Sequence, residues 1–250
     1  MSKTVFITGG TSGIGRACAE KFAQNNYDII ITGRREILLE EVKKDIETKY
    51  NVNVKTLCFD VRNKEEVFNA VANLGTEITV DVLINNAGLA LGRDAFDEAD
   101  IADWETMMST NVNGLLYTSR ALIPHIKKSK GHIINLGSVA GKEVYENGNV
   151  YCASKFAVNA ISESMRIDLL KYNIKVTSIN PGAAETEFSI VRFKGDEKKA
   201  EAAYKNYIPL TANDVADTIF YCASLPAHVC INDLTITCLQ QATGSIFYKN

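Results

Sequence analysis

A chain of 250 residues, 46% of them apolar, can hold one large α/β domain or two small ones and bury a substantial core. Its 27 basic and 30 acidic residues are spread along the chain for a formal charge of -3, so there is no basic stripe for nucleic acid and no acidic tail, and the expected partner is a small molecule. No apolar run approaches a membrane span, and Met1-Ser2-Lys3 leads into a strand-like segment without the parts of a secretory leader, so a soluble cytoplasmic protein is expected. The six cysteines never form C-x-x-C and read as free thiols, and the three histidines are unclustered, so no metal site is expected.

Val5 to Ile7 reads as a short strand ending in Thr8-Gly9-Gly10-Thr11-Ser12-Gly13-Ile14-Gly15, after which Ile14, Cys18 and Phe22 recur every fourth residue as a helix face. Glycines between a strand and a helix let the backbone approach a pyrophosphate, whose charge faces the helix N-terminus. An ordinary strand-to-helix turn is the plainer reading, but three glycines in this context meet the test for a dinucleotide site. Ile29 to Ile31 is a second strand. An NAD site places an acid about 20 residues beyond the glycine turn, whereas this chain has Arg34-Arg35. Two cations at a helix opening oppose its dipole unless an anion sits there, and a 2′-phosphate is such an anion. The other reading is a pair of solvated arginines, with Glu36 taking the ribose.

A charged helix is predicted through Glu40 to Lys49, then a strand from Val54 to Phe59 closed by Asp60-Val61. Lys64 to Leu74 reads as helix, Val82 to Ile84 as strand and Asn85-Asn86-Ala87-Gly88 as its turn, with small residues and amides suited to backing a cofactor. Trp104 to Lys128 reads as one long helical region containing Asn111 and broken late by Pro124; His132 to Leu136 is a strand ending in Gly137-Ser138. A helix from Tyr151 to about Tyr172, rich in Ala153, Ala157, Ala160 and Ser164, permits close approach of another helix. Lys175 to Ile179 is a strand closed by Asn180-Pro181-Gly182, Thr186 to Tyr207 is helix-like, and Asp214 to Ser224 and Leu234 to Leu239 are a last helix and strand. Alternating strands and helices predict a parallel sheet covered on both faces: one doubly wound Rossmann domain of about seven strands over residues 1–250.

Tyr151 and Lys155 are one helical turn apart. A phenol with a reference pKa of about 10 is a poor acid at neutral pH, but a neighbouring ammonium favours the phenolate and draws that value down. An isolated pair of this kind is more often a half-exposed helix face, so its company matters.

Thr8-Gly9-x-x-x-Gly13-x-Gly15, Asn85-Asn86-Ala87-Gly88, Asn111, Ser138, Tyr151-x-x-x-Lys155 and Pro181-Gly182 together resemble the single-domain short-chain dehydrogenase/reductase family over nearly the whole chain. The resemblance implies that Tyr151 is the acid/base, that Ser138 hydrogen-bonds the substrate oxygen, that Lys155 holds the nicotinamide ribose and lowers the Tyr151 pKa, and that Asn111 anchors a relay water. It implies cofactor contacts from Gly9, Thr11, Ser12, Gly13, Ile14, Gly15, Arg34, Arg35, Asp60, Val61, Asn86, Ala87, Gly88, Pro181, Gly182 and Thr186, along with Tyr151 and Lys155. Gly137 departs from the serine common there in the wider family.

The stretches 86–92, 103–107, 148–151, 186–189 and 191–196 look like the branch of NADP-dependent serine and 3-hydroxy acid dehydrogenases, usually homotetramers. NADP is therefore the expected cofactor, and the expected reaction interconverts a β-hydroxyl and a carbonyl in 3-hydroxy acids, serine or allo-threonine. A substrate cover is expected at roughly 183–210. In it Arg192 lies among Phe188, Ile190, Val191 and Phe193, which suits a bidentate grip on a carboxylate, although a snorkelling or intersubunit arginine fits the residues nearly as well. The resemblance favours the carboxylate. A short-chain reductase of another carbonyl, a 3-oxoacyl carrier protein or a sugar, would keep the same four catalytic residues; a non-catalytic NADP sensor would have no use for the acid.

Overall fold

The computed structural model describes residues 2–248. The elements are β1 (Lys3–Thr8), α1 (Gly13–Gln24), β2 (Tyr27–Gly33), α2 (Glu36–Lys49), β3 (Val54–Cys58), α3 (Lys64–Ala72), β4 (Val82–Asn85), α4 (Ile101–Met108), α5 (Leu115–Ser129) and β5 (His132–Leu136). They continue as α6 (Asn149–Leu169), β6 (Lys175–Pro181), β7 (Ala184–Glu185), α7 (Glu187–Arg192), α8 (Glu197–Ala202), β8 (Leu210–Thr211), α9 (Ala212–Ser224) and β9 (Asp233–Ile236). Among the described residues no helix is long and apolar enough to cross a membrane.

The strands read as continuous apolar runs because both of their faces are covered. Val5 and Ile7 of β1 join Ile29 and Ile31 of β2 in one core, with α1, α2 and α9; Phe6 and Ile30 point the other way, into a core with α3 and α5. Seven strands pair in the order β3-β2-β1-β4-β5-β6-β9, every neighbour parallel. The chain winds outward from β1 to β3, then returns to β4 on the other side of β1. That reversal opens a crevice at the carboxyl ends of β1 and β4, the topological switch point of a Rossmann sheet, as the sequence predicts.

Several boundaries differ from expectation. The region from Trp104 to Lys128 is not one helix: a π-helical turn, Ser109–Gly114, separates α4 from α5 and carries Asn111. Pro124 does not break α5, because Pro124 and Arg120 lie on its exposed side, where water can satisfy the carbonyl that the proline leaves without a donor. Helix α2 begins at Glu36, a turn before Glu40, and buries Leu39, Val42 and Ile46. Strand β9 stops at Ile236, where its partner β6 ends at Pro181, and Leu239 beyond it is fully exposed. The segment from Thr186 to Tyr207 is two short helices parted at Lys194 and Gly195, whose φ angles of 53° and 90° no helix continues through. The parallel pair β7–β8 closes the base of this excursion, with Ala184 opposite Leu210.

Candidate active site

At the end of β1 the backbone turns at Gly9 (φ 67°) and Gly13 (φ 52°), where L side chains are strained. Gly15 is glycine for lack of space, as a Cβ there would stand 2.2 Å from the Gly9 carbonyl oxygen. Ser12 caps α1 without a side-chain hydrogen bond, which leaves the first N–H groups of the helix open to the crevice. The turn after β4 is fastened to this one: Asn86 Nδ2 donates to the Thr8 and Gly9 carbonyls (2.8 and 3.1 Å), and the Ala87 N–H to Thr8 Oγ1 (2.9 Å). Such a cradle, with bare backbone and an open helix N-terminus, fits a dinucleotide pyrophosphate.

Arg34 and Arg35 stand at the rim beyond β2. Arg35 donates to Thr11 Oγ1 (2.9 Å) and Ser12 Oγ (3.3 Å) and reaches Glu187 of α7 at 3.3 Å. Arg34 lies 3.9 Å from Asp60. Partial burial would raise the Asp60 pKa, but hydrogen bonds from Arg62 outweigh it, with Arg34 adding to them, and hold the carboxyl below its ordinary range.

Helix α6 presents Tyr151 and Lys155, both buried, on the face toward β5. Lys155 Nζ donates to the Leu136 carbonyl (2.8 Å), and burial pushes its pKa down to about 8. Burial also pushes the Tyr151 phenol well above its ordinary value, and the Tyr145 phenol adds to this; Ser138 and Arg192 pull the other way. Lys155 Nζ, bonded to the Leu136 carbonyl, sits 5.9 Å from the Tyr151 ring centroid, and the guanidinium carbon of Arg192 sits 5.5 Å from it, so two cations flank the phenol. The Ser138 Oγ accepts from the Ala140 N–H (3.1 Å), so its own proton remains to donate. Asn111 is clamped: Oδ1 accepts from the Leu89 N–H (2.8 Å) while Nδ2 donates to the Leu89 carbonyl (2.8 Å) and Ser154 Oγ (3.0 Å).

One cavity of about 810 Å³ runs from Arg34, Arg35 and Asp60 past the glycine turn to Ser138, Tyr151, Lys155 and Arg192. Val61, Pro181, Gly182 and Thr186 line it as well; of the expected catalytic, cofactor and substrate residues, Gly15, beneath the turn, and Asn111, behind Gly88, are off its wall, as is Glu36, the alternative ribose partner. The sequence does not signal Tyr145, which shares the guanidinium of Arg192 (5.7 Å from its ring centroid) with Tyr151 and has Arg93 at 5.8 Å. Nor does it signal Gln241, whose Oε1 accepts from the Ala183 N–H (2.8 Å) and fills the space a side chain on Gly182 would need; Phe188 of the expected cover meets Tyr151 with ring centroids 5.8 Å apart and planes inclined at 57°. Helix α7 is thus fastened at both ends, by Glu187 to Arg35 and by Arg192 to Gly92, whose N–H donates to the Arg192 carbonyl (2.9 Å) and whose carbonyl accepts from Arg192 Nε (3.3 Å).

A glycine turn at the switch point of a doubly wound sheet, with a serine, a tyrosine and a lysine converging beside it, defines a short-chain oxidoreductase. Residues 3–197 match the short chain dehydrogenase family, and the chain belongs to that family. It is 43% identical over 245 residues to the NADP-dependent 3-hydroxy acid dehydrogenase of Escherichia coli O157:H7, covering 97% of each chain. It is 42% identical over 245 residues to sulfoacetaldehyde reductase 2 of Chromohalobacter salexigens, covering 97% of this chain and 96% of the relative. Its fold matches the closed form of a serine dehydrogenase complexed with NADP+ at a TM-score of 0.91, with 41% identity and 99% of each chain covered.

Proposed function

We propose that this chain is an NADP-dependent oxidoreductase that interconverts the β-hydroxyl and the carbonyl of 3-hydroxy acids, serine or allo-threonine. The observation that carries the reading is the Arg192 guanidinium 5.5 Å from the Tyr151 ring centroid, a cation for a carboxylate beside the acid for a β-oxygen. Arg34 and Arg35 supply charge for a 2′-phosphate, which accords with the NADP-dependent relatives. When bound, the nicotinamide delivers or accepts the hydride. The Tyr151 phenol carries the proton that a carbonyl takes up on reduction; burial makes that proton harder to give, Ser138 and Arg192 work against the burial, and Ser138 donates to the same oxygen. Because the Asn111 side chain is committed to Leu89 and Ser154, any water it anchors is held by its main chain. Phe188 and the rest of α7 cover the reacting atoms from water.

The test measures nicotinamide absorbance with a 3-hydroxy acid and with an uncharged alcohol of similar size. Arg192→Ala is expected to raise KM about 100-fold for the acid and little for the alcohol, as for a lost charge-assisted bond. Equal effects on the two would remove the carboxylate reading. Arg93 beside Tyr145 favours a second reading in which the anion is a sulfonate, as the name of the Chromohalobacter relative suggests, so an aldehyde sulfonate belongs in the same panel. We place the enzyme in the cytoplasm as a homotetramer. Ala153, Ala160 and Ser164 of α6 are exposed beside Phe156 and Ile167, a face that a second copy can cover.

A further inference from the structure

We infer that Asn180 is the positioning residue for Ser138, and that position 137 is glycine because the Asn180 carboxamide fills the place of its side chain. The inference deepens the proposal that Ser138 holds the reacting oxygen, and rests on it. Asn180, on β6, is completely buried, and both ends of its amide are used. Oδ1 accepts from the Ser138 N–H (3.2 Å), while Nδ2 donates to Asp233 Oδ2 (3.2 Å); the proton of the nearby Ser178 hydroxyl goes to Asn159 Oδ1 (2.8 Å).

Strand β5 ends at Leu136, and the next peptide is still held by β6: the Gly137 N–H donates to the Ile179 carbonyl (2.7 Å). For Ser138 the Asn180 side chain stands in for the next main-chain rung, so the serine is fixed where it leaves the sheet. Asp233 extends the hold to the far end of the loop, pairing with Lys142 Nζ at 2.6 Å. A Cβ on Gly137 would stand 2.0 Å from Asn180 Oδ1, and the φ of Gly137 is not in the left-handed region, so space rather than backbone conformation excludes a side chain. An aspartate at 180 would set a second carboxylate against Asp233, and an alanine would leave the Ser138 N–H buried without an acceptor.

The experiment compares Asn180→Ala, Gly137→Ser, the double variant and Ser138→Ala by kcat, by NADP+ dissociation constant from fluorescence titration, and by thermal midpoint. A misplaced donor at the reacting oxygen costs about 100-fold in rate. Asn180→Ala is expected to lose at least about 10-fold in kcat with NADP+ binding unchanged, and Gly137→Ser about 100-fold. Adding Asn180→Ala to Gly137→Ser is expected to restore about 10-fold, because the new serine then has room. A double variant no better than Gly137→Ser, or an Asn180→Ala enzyme with normal kcat, would overturn the pairing; if Gly137→Ser does not fold, Asn180→Ala alone decides. Normal turnover by Ser138→Ala would instead strike the underlying role of Ser138.

Discussion

His132 begins β5, at the end of the sheet remote from the site. Thr177 Oγ1 donates to the Ile231 carbonyl (2.6 Å) and so accepts from His132 Nε2 (2.6 Å), which leaves Nδ1 buried without a partner. Burial, with Lys175 nearby, pushes its pKa down to about 3. The unfolded chain takes up this proton near pH 6.5 and the folded chain does not, so stability is complete above that pH and falls as pH drops toward 3, by roughly 2 kcal/mol at pH 5. Urea midpoints at pH 7.5 and 5 are expected to show a smaller acid loss in His132→Gln, whose amide can still donate to Thr177; an unchanged loss would place the effect elsewhere. The residues that chemistry demands at fixed spacing are legible in the sequence: the glycines, Ser138, Tyr151 and Lys155. Tyr145 is not, because it lies in an aperiodic loop and acquires its role only when Arg192 arrives from a distant segment. The direction of Lys155 is hidden for the same reason, since four-residue spacing gives a shared face and not an end point for a long side chain.

At the scale of elements, the hydrophobic period marks the strands and most helices, but not where a helix changes its winding. Ser109–Gly114 is polar but for Val112 and ends in Asn-Gly, a break that the helical reading of Trp104 to Lys128 passes over, and composition alone does not say that the break is a π turn carrying Asn111. The cover shows the opposite failure. Its charged residues read as one helix, and the left-handed turn at Lys194-Gly195 that divides it has no period to announce it. Glu187 at the start of α7 holds a cation that we assign to the 2′-phosphate, so the two anions compete for Arg35. The pair is about half exposed and screened, worth under about 1 kcal/mol. Glu187→Gln is accordingly expected to tighten NADP+ binding by about two- to five-fold, as that energy allows, and to leave NAD+ binding unchanged. Weaker NADP+ binding in fluorescence titration would show instead that Glu187 orients Arg35 for the phosphate.

For the whole molecule, the order of the sheet follows from a few rules, namely a glycine turn, right-handed crossovers and apolar strands with helices between them, and these leave little choice of topology. What they do not specify is which outer faces meet a second copy. Phe156, Ile167 and Leu170 on and just after α6 are 42%, 75% and 70% exposed, too much apolar surface on one helix to leave in water without a reason. Sedimentation equilibrium is expected to give four chains per particle, with Phe156→Lys shifting the population to smaller species; a wild-type monomer would remove the assembly. The double fastening of α7 also has a mechanical consequence. Glu187 ties its first turn to Arg35 and Arg192 ties its last turn to Gly92, so the helix lifts from the cleft as a unit only when both ties are released together, and cutting one leaves a hinge at the other.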